Sequence, residues 1–372
     1  MTGREAVAVV ARREIRSRLR ERALLVSTLV TLTLLAALVV LPKVFGSDGP
    51  EKVTVAAPPG GAVELAQAAQ RGQKRLDVEV TVKRVRDEPA ARRLVADGDA
   101  DAAVVRGGKT LLAGDPPPNE ALSLLQAVAA DAPALPVQNV ANAEDDEQKR
   151  LAYVAVLLLY GQLIGYGFWV VSGIVEEKAS RIVELLLAAI RPRELLAGKV
   201  IGIGLVALGQ LFAIGVIGLA LGVATGDVSA DARSAGSLAI VLAWFVLGYA
   251  FYACAFAVSG ALVARQEDVQ NVTTPITLVI LGSLFLSFPA LDDPSGTLAH
   301  VLSFVPPAAA LVMPARTITG DASVLEIVAS IGVTAAAAAG LVVLAGRVYA
   351  AGVLQTTRLS LRAALGARRQ AS

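Results

Sequence analysis

One cysteine and one histidine stand in 372 residues, and only 18% of the side chains carry formal charge. A single cysteine, Cys254, excludes a disulfide within the chain and any cysteine metal cluster. A single histidine, His300, excludes a histidine-based metal site. Ordinary soluble domains carry about 25% charged residues. At 55% hydrophobic, a soluble chain would leave large apolar patches facing water.

What the chain has instead is long runs free of Asp, Glu, Lys and Arg. They cover residues 23–42, 151–175, 200–226, 234–264, 269–291 and 327–346, between 20 and 31 residues each. A bilayer core about 30 Å thick needs about 20 apolar residues in a helix. The composition therefore predicts an α-helical polytopic membrane protein with six transmembrane helices. An α/β domain is expected between the first and second. The spans are set at 23–45, 151–175, 200–226, 234–264, 269–291 and 327–346.

The loop charges give an expected orientation, because cytoplasmic loops are enriched in Lys and Arg. Residues 1–22 hold seven Arg and three Glu, and read as an amphipathic helix lying on the inner membrane surface. Residues 46–150 are expected outside, 176–199 inside, and the basic tail 347–372, with five Arg and no acid, inside. Residues 292–326 carry one basic residue, with Pro306, Pro307 and Pro314 in a charge-free stretch. Interior prolines cost about 3 kcal/mol each in a helix. This segment is expected to be external or re-entrant rather than a seventh span.

Residues 46–150 hold about 45% of all charges. Leu76, Val78, Val80 and Val82 alternate with polar residues, the period of a half-buried strand. Residues 53–57 and 102–106 read as further strands, and 62–71, 89–96 and 119–130 as helices. Pro116–Pro118 and the acidic run Glu144–Glu147 read as linkers.

Within the spans, Gln162, Gln210 and Asn271 stand out as candidates for a pathway or for interhelical hydrogen bonding, the latter favoured. Gly161 and Gly165, four apart, are expected to allow close helix approach. No P-loop is present. Gly108-Lys109-Thr110 has Ala103 where the first glycine is needed, and reads as a hairpin turn; Gly198-Lys199 is followed by Val200. The chain itself is expected to bind no nucleotide, metal or other cofactor and to catalyse nothing.

The most informative segment is 176–199, EEKASRIVELLLAAIRPRELLAGK. Ile182, Leu185, Leu186 and Ala189 form an apolar stripe at helical spacing, with Glu177, Arg181 and Glu184 on another face. Pro192 suits the first turn of a second, short helix, and Gly198 is expected to end it before the next span. A loop that merely joins two spans needs no apolar stripe, so the residues point to docking.

This segment resembles the coupling element of the ABC-2 type permeases, closest to the branch that includes sodium-export permeases. The resemblance rests on Glu176, Glu177, Lys178, Arg181, Ile182, Glu184, Leu186, Leu187, Ile190, Pro192, Leu195, Gly198 and Lys199. Ala188 and Ala189 stand where that branch often has Ser. LSFVPPAAALVMPAR at 302–316 and RVYAAGVLQTTRLSL at 347–361 resemble the same branch. The resemblance implies the membrane subunit of an ATP-driven exporter, in which Glu176, Glu177, Lys178, Arg181, Glu184, Leu185, Pro192, Gly198 and Lys199 couple to an ATPase. It implies further a cytoplasmic ATPase subunit holding ATP and Mg, a second permease subunit, a plasma-membrane location and cargo such as sodium. The residues favour a small hydrophobic or amphipathic cargo at least equally. No nucleic acid is expected as a partner. The rival reading is a membrane-anchored sensor or scaffold that binds through residues 46–150.

Overall fold

A computed structural model describes residues 2–45, 51–60, 63, 78–96, 99–105, 110–113, 137–139, 143–179, 190–226 and 228–352. The chain divides into two compact units, residues 37–148 and the remainder.

The smaller unit contains a five-stranded sheet. Its strands are β1 (Glu51–Ala57), β2 (Val78–Arg84), β3 (Ala102–Val105), β4 (Thr110–Ala113) and β5 (Val137–Asn139), in the order β2-β1-β3-β4-β5. β1 pairs in parallel with β2 and β3, β3 with β4 antiparallel, and β4 with β5 in parallel. The antiparallel β3–β4 pair agrees with the hairpin expected around Gly108. Helix α3 (Glu88–Ala96) begins at Asp87, whose carboxylate accepts from Ala90 N at 2.8 Å. Its Ala91 and Val95 pack with Ala56, Ala103, Val105 and Leu112 in an aliphatic core. The strands and this helix fall close to their expected places; the helices expected at 62–71 and 119–130 and the Pro116–Pro118 linker lie outside the described residues.

The larger unit is helical. It holds α1 (Gly3–Arg18), the start of α2 (Arg22–Phe45), and most of α4 (Ala143–Ala179). It continues through α5 (Pro192–Thr225), α6 (Ala232–Leu262), α7 (Val269–Asp292), α8 (Thr297–Phe304), α9 (Pro306–Ile318) and α10 (Val324–Gly352). Among the described residues, five helices are long and apolar enough to cross a membrane: α4, α5, α6, α7 with the short turn before it, and α10. α2 adds an apolar helix of 24 residues, of which Arg22–Ala37 is described with its side chains.

Several boundaries differ from those expected. α4 begins at Ala143, so the Glu144–Glu147 run forms its first turns rather than a linker. α5 runs unbroken through Gly198, which therefore ends no helix. At 34 residues, α5 is about 51 Å long and exceeds a bilayer core. It stops at Gly226, whose φ of 77° is left-handed.

The proline-rich segment is helical. Val305 breaks the chain, and Pro306 opens α9 at its first turn, where a missing N–H costs nothing. Every residue from 308 to 316 is buried. Tyr252 OH donates to Pro307 O at 2.9 Å, and Gly248 lets Ala310 approach α6. Trp244 packs with Ala309 and Met313, so α9 runs antiparallel to α6 with its first turn beyond the midpoint of that helix. α9 is thus seated in the bundle, and α8 packs beside it through Ala299 and Leu302.

Candidate functional site

α1 does not offer its apolar stripe to a flat surface. Ala6, Val10, Ala11 and Glu14, the stripe at helical spacing, are buried against the first turns of α5. Two glycines permit this approach. A Cβ on Gly198 would lie 2.5 Å from Val10 Cβ, and one on Gly202 would lie 2.7 Å from Glu14 Cβ and 2.8 Å from Ala11 O. The Gly161–Gly165 pair expected to do this work has nothing within 4 Å of either position. Glycine spacing alone does not say which face a neighbour occupies.

We expect Gly198→Val to lower the thermal unfolding midpoint of the purified chain by the equivalent of about 1–3 kcal/mol, the usual cost of overpacking. Gly161→Val is the control and leaves the midpoint in place. Equal shifts for both would show that α1 is not seated on Gly198.

The close approach brings charge together. Lys199, near the start of α5, is 2% exposed, and its Nζ lies 2.9 Å from Glu14 Oε1 and 3.2 Å from Glu177 Oε1. Glu14 and Glu177 are themselves buried. Arg13 stands 3.6 Å from Glu177, and Arg18 stands 3.7 Å from Glu14. Arg18 also donates to Glu21 at 2.8 Å and lies over the Trp169 ring, 5.1 Å from its centroid. Gly173 leaves room: a Cβ there would meet Arg18 Nη2 at 2.9 Å and Lys199 Nζ at 3.1 Å. Three cations thus surround two buried carboxylates drawn from α1 and α4.

The segment 176–199 is therefore tied at both ends. Glu177 closes α4 and Lys199 opens α5, and the ion pair clasps the two stems. The next residue, Lys178, donates to Ala261 O at 3.0 Å and Val263 O at 2.8 Å, capping the last carbonyls of α6. Pro192 occupies the first turn of α5, with Arg191 before it; Arg191 N donates to Glu194 Oε2 at 3.3 Å. Glu176 is exposed. Arg181, Glu184 and Leu185 lie outside the described residues.

Of the three polar residues expected inside the bundle, Gln210 joins helices. Tyr166 OH donates to its Oε1, and its Nε2 donates to Thr28 Oγ1 at 2.6 Å and Ser27 Oγ at 3.3 Å. Gln162 is buried, while Asn271 is exposed in the first turn of α7.

Sequence reasoning missed Glu14, Arg13, Arg18 and Arg316. Glu14 had a readable signal: it continues the Ala6–Val10 stripe, so a carboxylate sits on the packed face. Arg316 ends the 302–316 stretch and is 1% exposed. It donates to Pro294 O and Ser303 Oγ, each at 2.9 Å, and to Asp321 O at 3.0 Å, and stands 3.5 Å from Glu326.

Comparison with known proteins gives a consistent result. The profile of a family described as "ABC-2 family transporter protein" matches residues 22–347. The chain is similar to the uncharacterized protein YhaP of Bacillus subtilis, 30% identical over 214 residues, which cover 55% of this chain and 51% of that one. It is similar also to the uncharacterized protein MJ1024 of Methanocaldococcus jannaschii, 30% identical over 181 residues, 47% of this chain and 42% of that one. The chain thus spans about half the length of the curated relatives it matches. No solved structure matches.

Proposed function

The chain belongs to the ABC-2 transporter family, a family of multi-pass membrane proteins, and from that premise we propose that it is the permease subunit of an ATP-driven exporter. ATP and Mg sit on a separate cytoplasmic ATPase. The observation that carries this reading is the buried Lys199–Glu177 pair, 3.2 Å apart, which clasps the two stems of segment 176–199.

In this reading the ATPase presses on residues 180–189. A push on a loop does work only if its stems move helices, and these stems are held to three. Lys199 reaches α1 through Glu14, Lys178 grips the end of α6, and Glu177 belongs to α4. The surplus of cations matters here. If α4 slides relative to α5, Glu177 can pass from Lys199 to Arg13 while Glu14, on the helix packed against α5, stays on Lys199, so no buried charge is stranded. Stranding one costs about 3–5 kcal/mol.

The finer points belong to the same proposal. α2 is the sixth span, both termini are cytoplasmic, and the sheet unit lies outside. Two permease subunits pair over two ATPases. The cargo is an ion, with sodium first, or a small hydrophobic or amphipathic compound.

Glu184→Lys is expected to abolish co-purification of the cognate ATPase and cargo-stimulated ATP hydrolysis in reconstituted vesicles. A variant that retains both docking and transport refutes the coupling role of the segment.

A further inference from the structure

The outward face of α1 is a different surface from its packed face. Arg12 and Arg16 are one turn apart and exposed, and Arg20 is exposed in the turn that follows. Val9 and Leu19, 58% and 59% exposed, flank them. The acids of this region are committed elsewhere: Glu5 closes the capping box with Thr2, Glu14 is buried on Lys199, and Glu21 binds Arg18. Among the described residues, Arg12, Arg16 and Arg20 have no acidic partner. Three residues after Arg20 the charge-free run of α2 begins, and its Leu25 and Val26 are exposed. The guanidinium row thus stands where an apolar span begins, and a surface there mixes aliphatic contact with positive charge.

We propose that this face of α1 binds the anionic headgroups of membrane phospholipids. The chemistry is complementary on both counts. Guanidinium groups take phosphate oxygens in paired hydrogen bonds, and Val9 and Leu19 enter the glycerol and upper acyl layer. Through Glu14, on the opposite side of the same helix, headgroup binding holds α1 in place against Lys199. An acidic surface on a protein partner would satisfy the charge, but it would not call for aliphatic side chains next to the start of a span.

Trp169 gives a local probe, because Arg18 lies on its ring and Trp244 is the only other tryptophan. The full chain carrying Trp244→Phe is reconstituted with phosphatidylglycerol or phosphatidylcholine brominated high on the acyl chains, and quenching of Trp169 is compared. Anionic lipid is expected to be preferred about tenfold. The preference should fall to near unity in R12Q/R16Q/R20Q, and should shrink for the unmodified row in about 0.5 M salt. Lack of preference in the parent overturns the proposal, as does a preference that neither the triple variant nor salt reduces. If the triple variant instead loses its ATPase with lipid preference unchanged, the row serves a protein partner and the proposal is wrong.

Discussion

Lys199→Met is expected to destabilise the helical unit by about 3–5 kcal/mol, the cost of removing one partner from a buried ion pair. The methionine fills nearly the same volume, so the loss is electrostatic. Glu14 and Glu177 remain buried, with Arg18 and Arg13 at 3.7 and 3.6 Å as their cationic neighbours. The check is the thermal midpoint in detergent, with cargo-stimulated ATP hydrolysis measured on the same preparation. A second variant separates stability from transmission. Lys199→Met/Glu14→Gln/Glu177→Gln removes the buried charges together, and neutral groups of matching shape are often tolerated or even stabilising at such sites. The triple variant should recover most of the midpoint while ATP hydrolysis stays uncoupled from cargo. Recovery of both would mean that the cluster only holds α1 in place.

The same cluster shows what the sequence could and could not reveal. Charge-free runs announce spanning helices because a bilayer excludes formal charge along a fixed length, and no partner is needed to read them. Pairing is another matter. Lys199 and Glu14 are 185 positions apart, and nothing local in either sequence names the other. Only the placement of Glu14 on the Ala6–Val10 stripe marks it as packed.

Glycine misled for a related reason: it has two opposite uses. Gly198 reads as a helix stop, yet the helix continues through it and the missing Cβ admits Val10. The motif residues Glu177, Lys178 and Lys199 were legible as a set through the family pattern. Their individual tasks became visible only when α1, α5 and α6 were brought to the same place.

Arg316→Met is expected to cost a similar amount, about 3–5 kcal/mol, and for a different structural reason. The guanidinium holds four pieces of chain: the carbonyl of Pro294 before α8, Ser303 within it, the carbonyl of Asp321 after α9, and Glu326 at the start of α10. A broken helix pair survives inside an apolar bundle only where its irregular backbone is satisfied by protein. Tyr252 serves the first turn of α9, and Arg316 serves the loops at its far end. Lysine keeps the charge but has no planar fork to reach several acceptors, so Arg316→Lys should recover only part of the loss. Glu326→Gln should cost less than Arg316→Met, because it leaves the carbonyl contacts intact and its side chain is 21% exposed. The readout is thiol labelling of Ala308→Cys, at a position 2% exposed, with the native Cys254 buried. Labelling should be slow in the parent, fast with Arg316→Met and near the parent rate with Glu326→Gln. If the Glu326 variant labels as fast as the Arg316 variant, the ion pair alone secures the hairpin, and the carbonyl contacts contribute little.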